Sequence, residues 1–161
     1  MKITGISHLP FPPQKSYELM QDPAMLAKAI PGCQTLEKCG EAEYILKLKM
    51  LLASLSGAFE GKVTLADPQP PVSFRMVVEG AGKIGFLKGE GVLTLMEHET
   101  GTEIAYDGDA QIGGKMAAVG HRLIDVTAKL MIKRFFESLG KTAEPVIEET
   151  TSEVTSELPE P

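Results

Sequence analysis

The chain has 161 residues, 43% of them hydrophobic and 24% charged, which suits one soluble globular domain with a sizeable core and leaves no room for two. Its net charge of -6 is uneven: residues 141–161 hold six glutamates and one lysine, or -5, leaving -1 for the first 140. A nearly neutral body without a basic stripe excludes nucleic acid as the expected partner.

No apolar run reaches the roughly 18 residues of a membrane-spanning helix, and Met1-Lys2-Ile3-Thr4-Gly5 does not open a secretory signal. Cys33 and Cys39 make no disulfide framework, which fits a reducing cytoplasm.

In chain order, Ile3 to Leu9 reads as a strand ended by Pro10. Pro12-Pro13 and then Asp22-Pro23 start two short helices, the second stopped by Pro31-Gly32. From Thr35 the period becomes two. Tyr44, Leu46, Leu48 and Met50 share one face, as do Phe59, Val63 and Leu65, then Val72, Phe74, Met76 and Val78. Gly80-Ala81-Gly82 breaks that strand. Leu87, Leu93 and Leu95 point in while Phe86 and Val92 point out, and Ile104, Tyr106, Ala110 and Ile112 give the last strand its inner side.

Gly113 to Gly140 then reads as one long helix of about 25 residues, roughly 37 Å. Its apolar arc, which includes Leu123, Val126, Leu130 and Met131, covers about 200°. Such a helix needs wrapping. The order predicts an α+β fold: a curved antiparallel sheet of about seven strands gripping a C-terminal helix, with two short helices after the first strand. Domain 1–140 is followed by a segment, 141–161, without periodicity, expected to be an acidic disordered tail.

The inward strand positions hold no Asp, Glu, His, Lys or Arg. They mix apolar residues with Gly89, Gly91 and Gly108, which either bend a solidly packed sheet or leave room for an apolar pocket. Both readings stand. Thr127 and Arg134 are polar positions inside the helix's apolar arc. His8, His98 and His121 lack metal-ligand spacing, and no serine carries the glycines of a nucleophile elbow, so neither a catalytic nor a metal site is expected.

Ala29-Ile30-Pro31-Gly32-Cys33 after two short helices, together with Gly113-Gly114-Lys115-Met116-Ala117-Ala118-Val119-Gly120, resembles the G-subunit family of carbon-monoxide dehydrogenase. That family belongs to the START-like, helix-grip superfamily of hydrophobic-ligand binders, and the resemblance covers roughly residues 1–140. It implies a non-enzymatic accessory protein, serving a molybdenum hydroxylase-type dehydrogenase and its membrane recruitment. It also implies a bound quinone, menaquinone or ubiquinone, as the apolar ligand. The expected lining is Phe59, Phe74, Met76, Leu93 and Tyr106 from the sheet with Leu123, Thr127 and Met131 from the helix, and Arg134 at the mouth.

Family members often continue into a hydrophobic anchor, whereas this chain ends in acidic residues that anionic headgroups repel. The expected location is the cytoplasm, with peripheral contact at the membrane's inner face. Two other readings remain: an assembly factor for the dehydrogenase with a solid core, and a cyclase-like enzyme, for which only Tyr106 and Arg134 come near the inner face as acid or base. Gly113-Gly114 reads as a hinge gating the ligand.

Overall fold

The computed structural model describes residues 1–52 and 55–157, with 143–157 described as backbone alone. Strand β1 (Lys2–Leu9) is followed by helices α1 (Pro13–Leu19) and α2 (Pro23–Ala29). Strands β2 (Cys33–Gly40), β3 (Glu43–Leu52), β4 (Leu55–Gln69), β5 (Ser73–Gly82), β6 (Gly85–His98) and β7 (Gly101–Gly113) come next. A 3-10 helix (Gly114–Val119) then leads into α3 (His121–Glu157). The seven strands form one antiparallel sheet in the order β1-β7-β6-β5-β4-β3-β2. Every neighbouring pair is a hairpin except β1 with β7, where Lys2 pairs Asp109 and Leu9 pairs Thr102. This is the expected α+β grip, and period-two patterning made it legible.

Local chemistry explains the two short helices. Pro13 and Pro23 stand in their first turns, where a missing N–H costs nothing. The Asp22 carboxylate accepts the Ala24 N–H at 2.9 Å, capping α2. Buried hydroxyls tie α1 to the sheet: Ser16 Oγ and Thr102 Oγ1 both donate to the Phe11 carbonyl, at 3.1 and 2.6 Å.

Four expectations need correction. The stretch from Gly113 is not one continuous helix: the Gly120 backbone, at φ 96°, breaks it, and Gly114–Val119 winds separately. There Met116 is buried and its N–H donates to the Ile84 carbonyl at 2.8 Å. Nor does Gly140 end α3. It is buried inside the continuing helix where α3 backs onto β1, and a Cβ there would make only ordinary contact with Pro10, at 3.4 Å.

Gly113-Gly114 is not a free hinge. A Cβ on Gly113 would collide with the Phe86 ring, and one on Gly114 would lie 2.6 Å from Gly85 Cα. Finally, β5 continues through Gly82, pairing it with Gly85, while Val72 lies outside the strand and is exposed. The cause is the Pro70–Pro71 turn, which delays the strand's start to Ser73. Of the expected acidic tail, the side chains from 143 onward and all of 158–161 lie outside the described residues.

Candidate functional site: a divided core and an open seam

The core between sheet and α3 is in two parts. Around α1 and α2, Leu9, Phe11, Tyr17, Phe74, Leu93, Leu95, Ile104, Phe136 and Leu139 lead a cluster of twelve buried residues. Its ring contact is edge-on, Tyr17 against Phe74 at 5.5 Å. At the opposite end Leu52, Phe59, Ile84, Met116 and Ile124 form a smaller one.

Between them the inner face carries a diagonal band of glycines, with Gly108 paired to Gly91 and Gly80 paired to Gly61, and Gly89 lying between the two pairs. The atoms nearest a Cβ at Gly61, Gly91 or Gly108 belong to neighbouring strands, none to α3. Inward side chains beside the band, Val63, Met76, Val78, Leu87 and Tyr106, stay only half-buried. Strand parity puts apolar side chains on this face, and the glycines withhold side chains from its middle.

Two recesses open along the seam where β1 and β7 meet α3. The smaller, about 250 Å³, is lined by Met1, Ala110, Gln111, Ile112, Ala117, His121 and Ile124. Beside it the Met1 ammonium bonds the Asp109 carboxylate at 3.0 Å and holds its pKa below the usual carboxylate range. The larger, about 630 Å³, is lined by Thr4, Gly5, Ile6, Ser7 and His8 of β1, His98 of β6, and Glu103 and Tyr106 of β7. Lys129, Lys133, Phe136 and Glu137 of α3 complete it.

The expected lining residues do not come together as one wall. Phe74 and Leu93 are buried inside the larger cluster, with Met76 and Tyr106 packed against it, whereas Phe59 belongs to the smaller. Thr127 and Met131 are half-buried on the sheet-facing side of α3. Leu123 and Arg134 are exposed. The reason is rotational: the sheet covers only part of the 200° arc, and Leu123, Val126 and Leu130 form an outward ridge 37, 56 and 42% exposed. Of the nine residues, Tyr106 borders one of these two recesses.

Gly5, Ser7, Lys129, Lys133 and Phe136 were not anticipated. Gly5 and Ser7 share the parity of buried Leu9, so small residues on the inner side of the first strand were the available signal.

Among the described residues no group of three His, Cys, Asp or Glu side chains converges. His8 and His98 do meet, ring centroids 5.8 Å apart, and both approach Thr100 Oγ1. Cys33 and Cys39 are free thiols, and burial pushes the Cys33 thiol up, away from the nucleophilic thiolate. No described helix is long and apolar enough to cross a membrane.

The model of the carbon monoxide dehydrogenase G-subunit family, CoxG, matches residues 5–152. The chain belongs to that family. Among solved structures, the CoxG chain is similar to a conserved protein from Geobacillus kaustophilus at 32% identity and TM-score 0.84, over 88% of this chain and 94% of that one. The aromatase/cyclase Zhui from Streptomyces sp. R1128 shares the fold at 10% identity and TM-score 0.64, over 91 and 95%. A protein from Thermus thermophilus does so at 14% and 0.63, over 89 and 99%. At such low identity these two show the helix-grip fold alone. A comparison with functionally curated proteins returns no match. Membership in the CoxG family associates the chain with carbon monoxide dehydrogenase as an accessory protein.

Proposed function

We propose that this member of the CoxG family is a non-catalytic carrier of an apolar small molecule, a quinone such as menaquinone or ubiquinone, for a molybdenum-containing carbon monoxide dehydrogenase-type enzyme. The observation that carries the reading is the divided core. A domain that only needed stability would close the gap between its two clusters, because unfilled apolar space forfeits contacts on every side. Here a glycine band withholds side chains from the middle of the inner face, and the larger recess at the seam with α3 borders Tyr106 beside that band. An uncharged inner face suits an electron acceptor that is oily in both redox states, and the protein's part is to shield it from water between bilayer and enzyme.

Mass spectrometry of an organic extract of the purified protein tests this, together with titration of menaquinone and ubiquinone. A co-purifying isoprenoid quinone, or binding of the added one, is expected. Absence of both sinks the carrier reading.

The outward ridge Leu123, Val126 and Leu130, with Arg122, Lys133 and Arg134 beside it, supports peripheral contact with an anionic bilayer. Sedimentation with phosphatidylglycerol vesicles is expected to carry the protein down, and the Leu123→Ser/Leu130→Ser double variant to stay in solution. The same ridge favours a second reading, in which the protein is an assembly factor docking on the dehydrogenase with no ligand. Under that reading the double variant loses the dehydrogenase, while vesicles and quinones leave the protein unaffected.

A further inference from the structure

We infer that the larger recess is the entrance to the ligand site, and that Tyr106 is both its gate and the hydrogen-bond donor that selects a ligand with a neutral carbonyl head. This rests on the carrier reading and assigns it a route and a specificity residue.

The route follows from which faces line the recess. Thr4, Ile6 and His8 lie on the outer parity of β1, whereas Gly5, Ser7 and Tyr106 lie on the inner parity, with Gly5 directly paired to Tyr106. A recess bordered by both parities passes around the free edge of the sheet, from solvent to the inner face. Its far wall is α3, where Phe136 belongs to the larger core cluster. Tyr106 also packs on that cluster, so a molecule moving from the recess to the inner face passes this ring.

The gate follows from Gly5. The Tyr106 ring lies across the main chain there, and a Cβ on Gly5 would stand 2.6 Å from Tyr106 Cζ. Glycine is what lets the ring close against β1.

The specificity follows from the hydroxyl and its surroundings. The other two tyrosines are engaged: Tyr17 donates to the Ser73 carbonyl at 3.3 Å and Tyr44 to the Gln21 carbonyl at 2.9 Å. Among the described residues the Tyr106 hydroxyl has no such partner. It faces a recess holding two ammoniums, Lys129 and Lys133, against two carboxylates, Glu103 and Glu137, with His8 and His98 alongside. Asp125 pairs with Lys129 at 3.4 Å.

The lining charges cancel and Lys129 is drawn to Asp125, so the recess exerts no strong pull on an anion or cation. The free edge of β1 adds main-chain donors and acceptors alike. Met1 and Ala110 exchange backbone bonds at 2.9 Å, and alternation then turns the N–H and C=O groups of Thr4, Ile6 and His8 away from β7. The Tyr106 hydroxyl, a donor among groups of little net charge, fits an uncharged oxygen acceptor attached to an apolar body.

Two measurements test this on the full chain, with thermal unfolding and far-UV circular dichroism as checks of folding. In the first, menaquinone-4 is loaded and its transfer to acceptor vesicles is timed. Tyr106→Ala is expected to speed transfer at least tenfold. Tyr106→Phe keeps the ring, so transfer is expected to stay near the wild-type rate while affinity falls about three- to tenfold, the worth of one hydrogen bond. Gly5→Ala, which pushes the ring off β1, is expected to speed transfer as well. Transfer and affinity within twofold of wild type in all three variants overturn the inference while leaving the carrier reading intact.

The second holds even if no quinone co-purifies with or binds to wild type, the outcome that removes the carrier reading. Acetophenone and ethylbenzene are titrated separately against the amide spectrum. Shifts at Gly5, Ser7 and Tyr106 for acetophenone that disappear in Tyr106→Phe support the recess as a carbonyl site. Equal shifts for both probes, or none at these residues, overturn it.

Discussion

The two sides of α3 are opposite in design. Towards the sheet, Leu139 is fully buried, with Phe136 and Ile124 nearly so, and the helix packs chiefly on α2 and β1. Away from the sheet, leucine and valine stand in water at the same helical spacing. Packing therefore accounts for the apolar periodicity on the inner side of this element, while on the outer side the same spacing leaves apolar residues exposed. The difference teaches that hydrophobicity on this helix locates the core only when combined with burial.

Substitutions can break or sharpen that contrast. The largest effect is expected from Leu139→Ala, which removes a side chain with no exposed surface and should cost about 2–5 kcal/mol in denaturant unfolding. A loss below 1 kcal/mol would mean that α3 is not seated as described. Thr102→Val should cost about 1 kcal/mol, because the Phe11 carbonyl loses its 2.6 Å donor yet keeps Ser16. A double-mutant cycle with Ser16→Ala should show the two hydroxyls coupled, and strictly additive losses would deny the shared acceptor.

Alkali probes the inner side through Tyr17 and Tyr44, both held above the ordinary 10.0 chiefly by burial. The folded protein then binds these phenolic protons more tightly than the unfolded chain. Their contribution is complete below about pH 10 and lost as pH rises through the folded values. Unfolding free energy measured from pH 9 upward should fall, more steeply in wild type than in Tyr17→Phe/Tyr44→Phe. The smallest effect belongs to the outer side: Leu130→Ser should change stability by no more than about 0.5 kcal/mol. A loss comparable to that of Leu139→Ala would erase the distinction between the two sides.

Most of the fold was legible because its rules are local. Prolines and Asp22 marked two helices, and alternation sorted Phe74, Leu93 and Tyr106 from Phe86 and Val92. The helix start was not legible, since Gly113–Val119 continues the apolar pattern and only the Gly120 backbone angle interrupts it. Nor could periodicity say which portion of a 200° arc the sheet covers, so the exposure of Leu123 and Arg134 was not legible. The recess was hidden for a third reason. It joins Gly5 and Ser7 to Tyr106 and Lys133, residues about a hundred positions apart or more, through the one strand pairing that no hairpin dictates.

That pairing also governs how the molecule assembles. Six strands can zip hairpin by hairpin, each closing a short loop, whereas β1 must find β7 across roughly a hundred residues of chain and lose the most closure entropy. The strand that arrives last at such a cost is the first to peel. In native-state hydrogen exchange the β1 amides bonded to β7, those of Gly5 and Ser7 among them, should therefore open at lower free energy than those between β4 and β5. Closure entropy alone thus predicts the weakest line of the sheet along the strand that borders the larger recess.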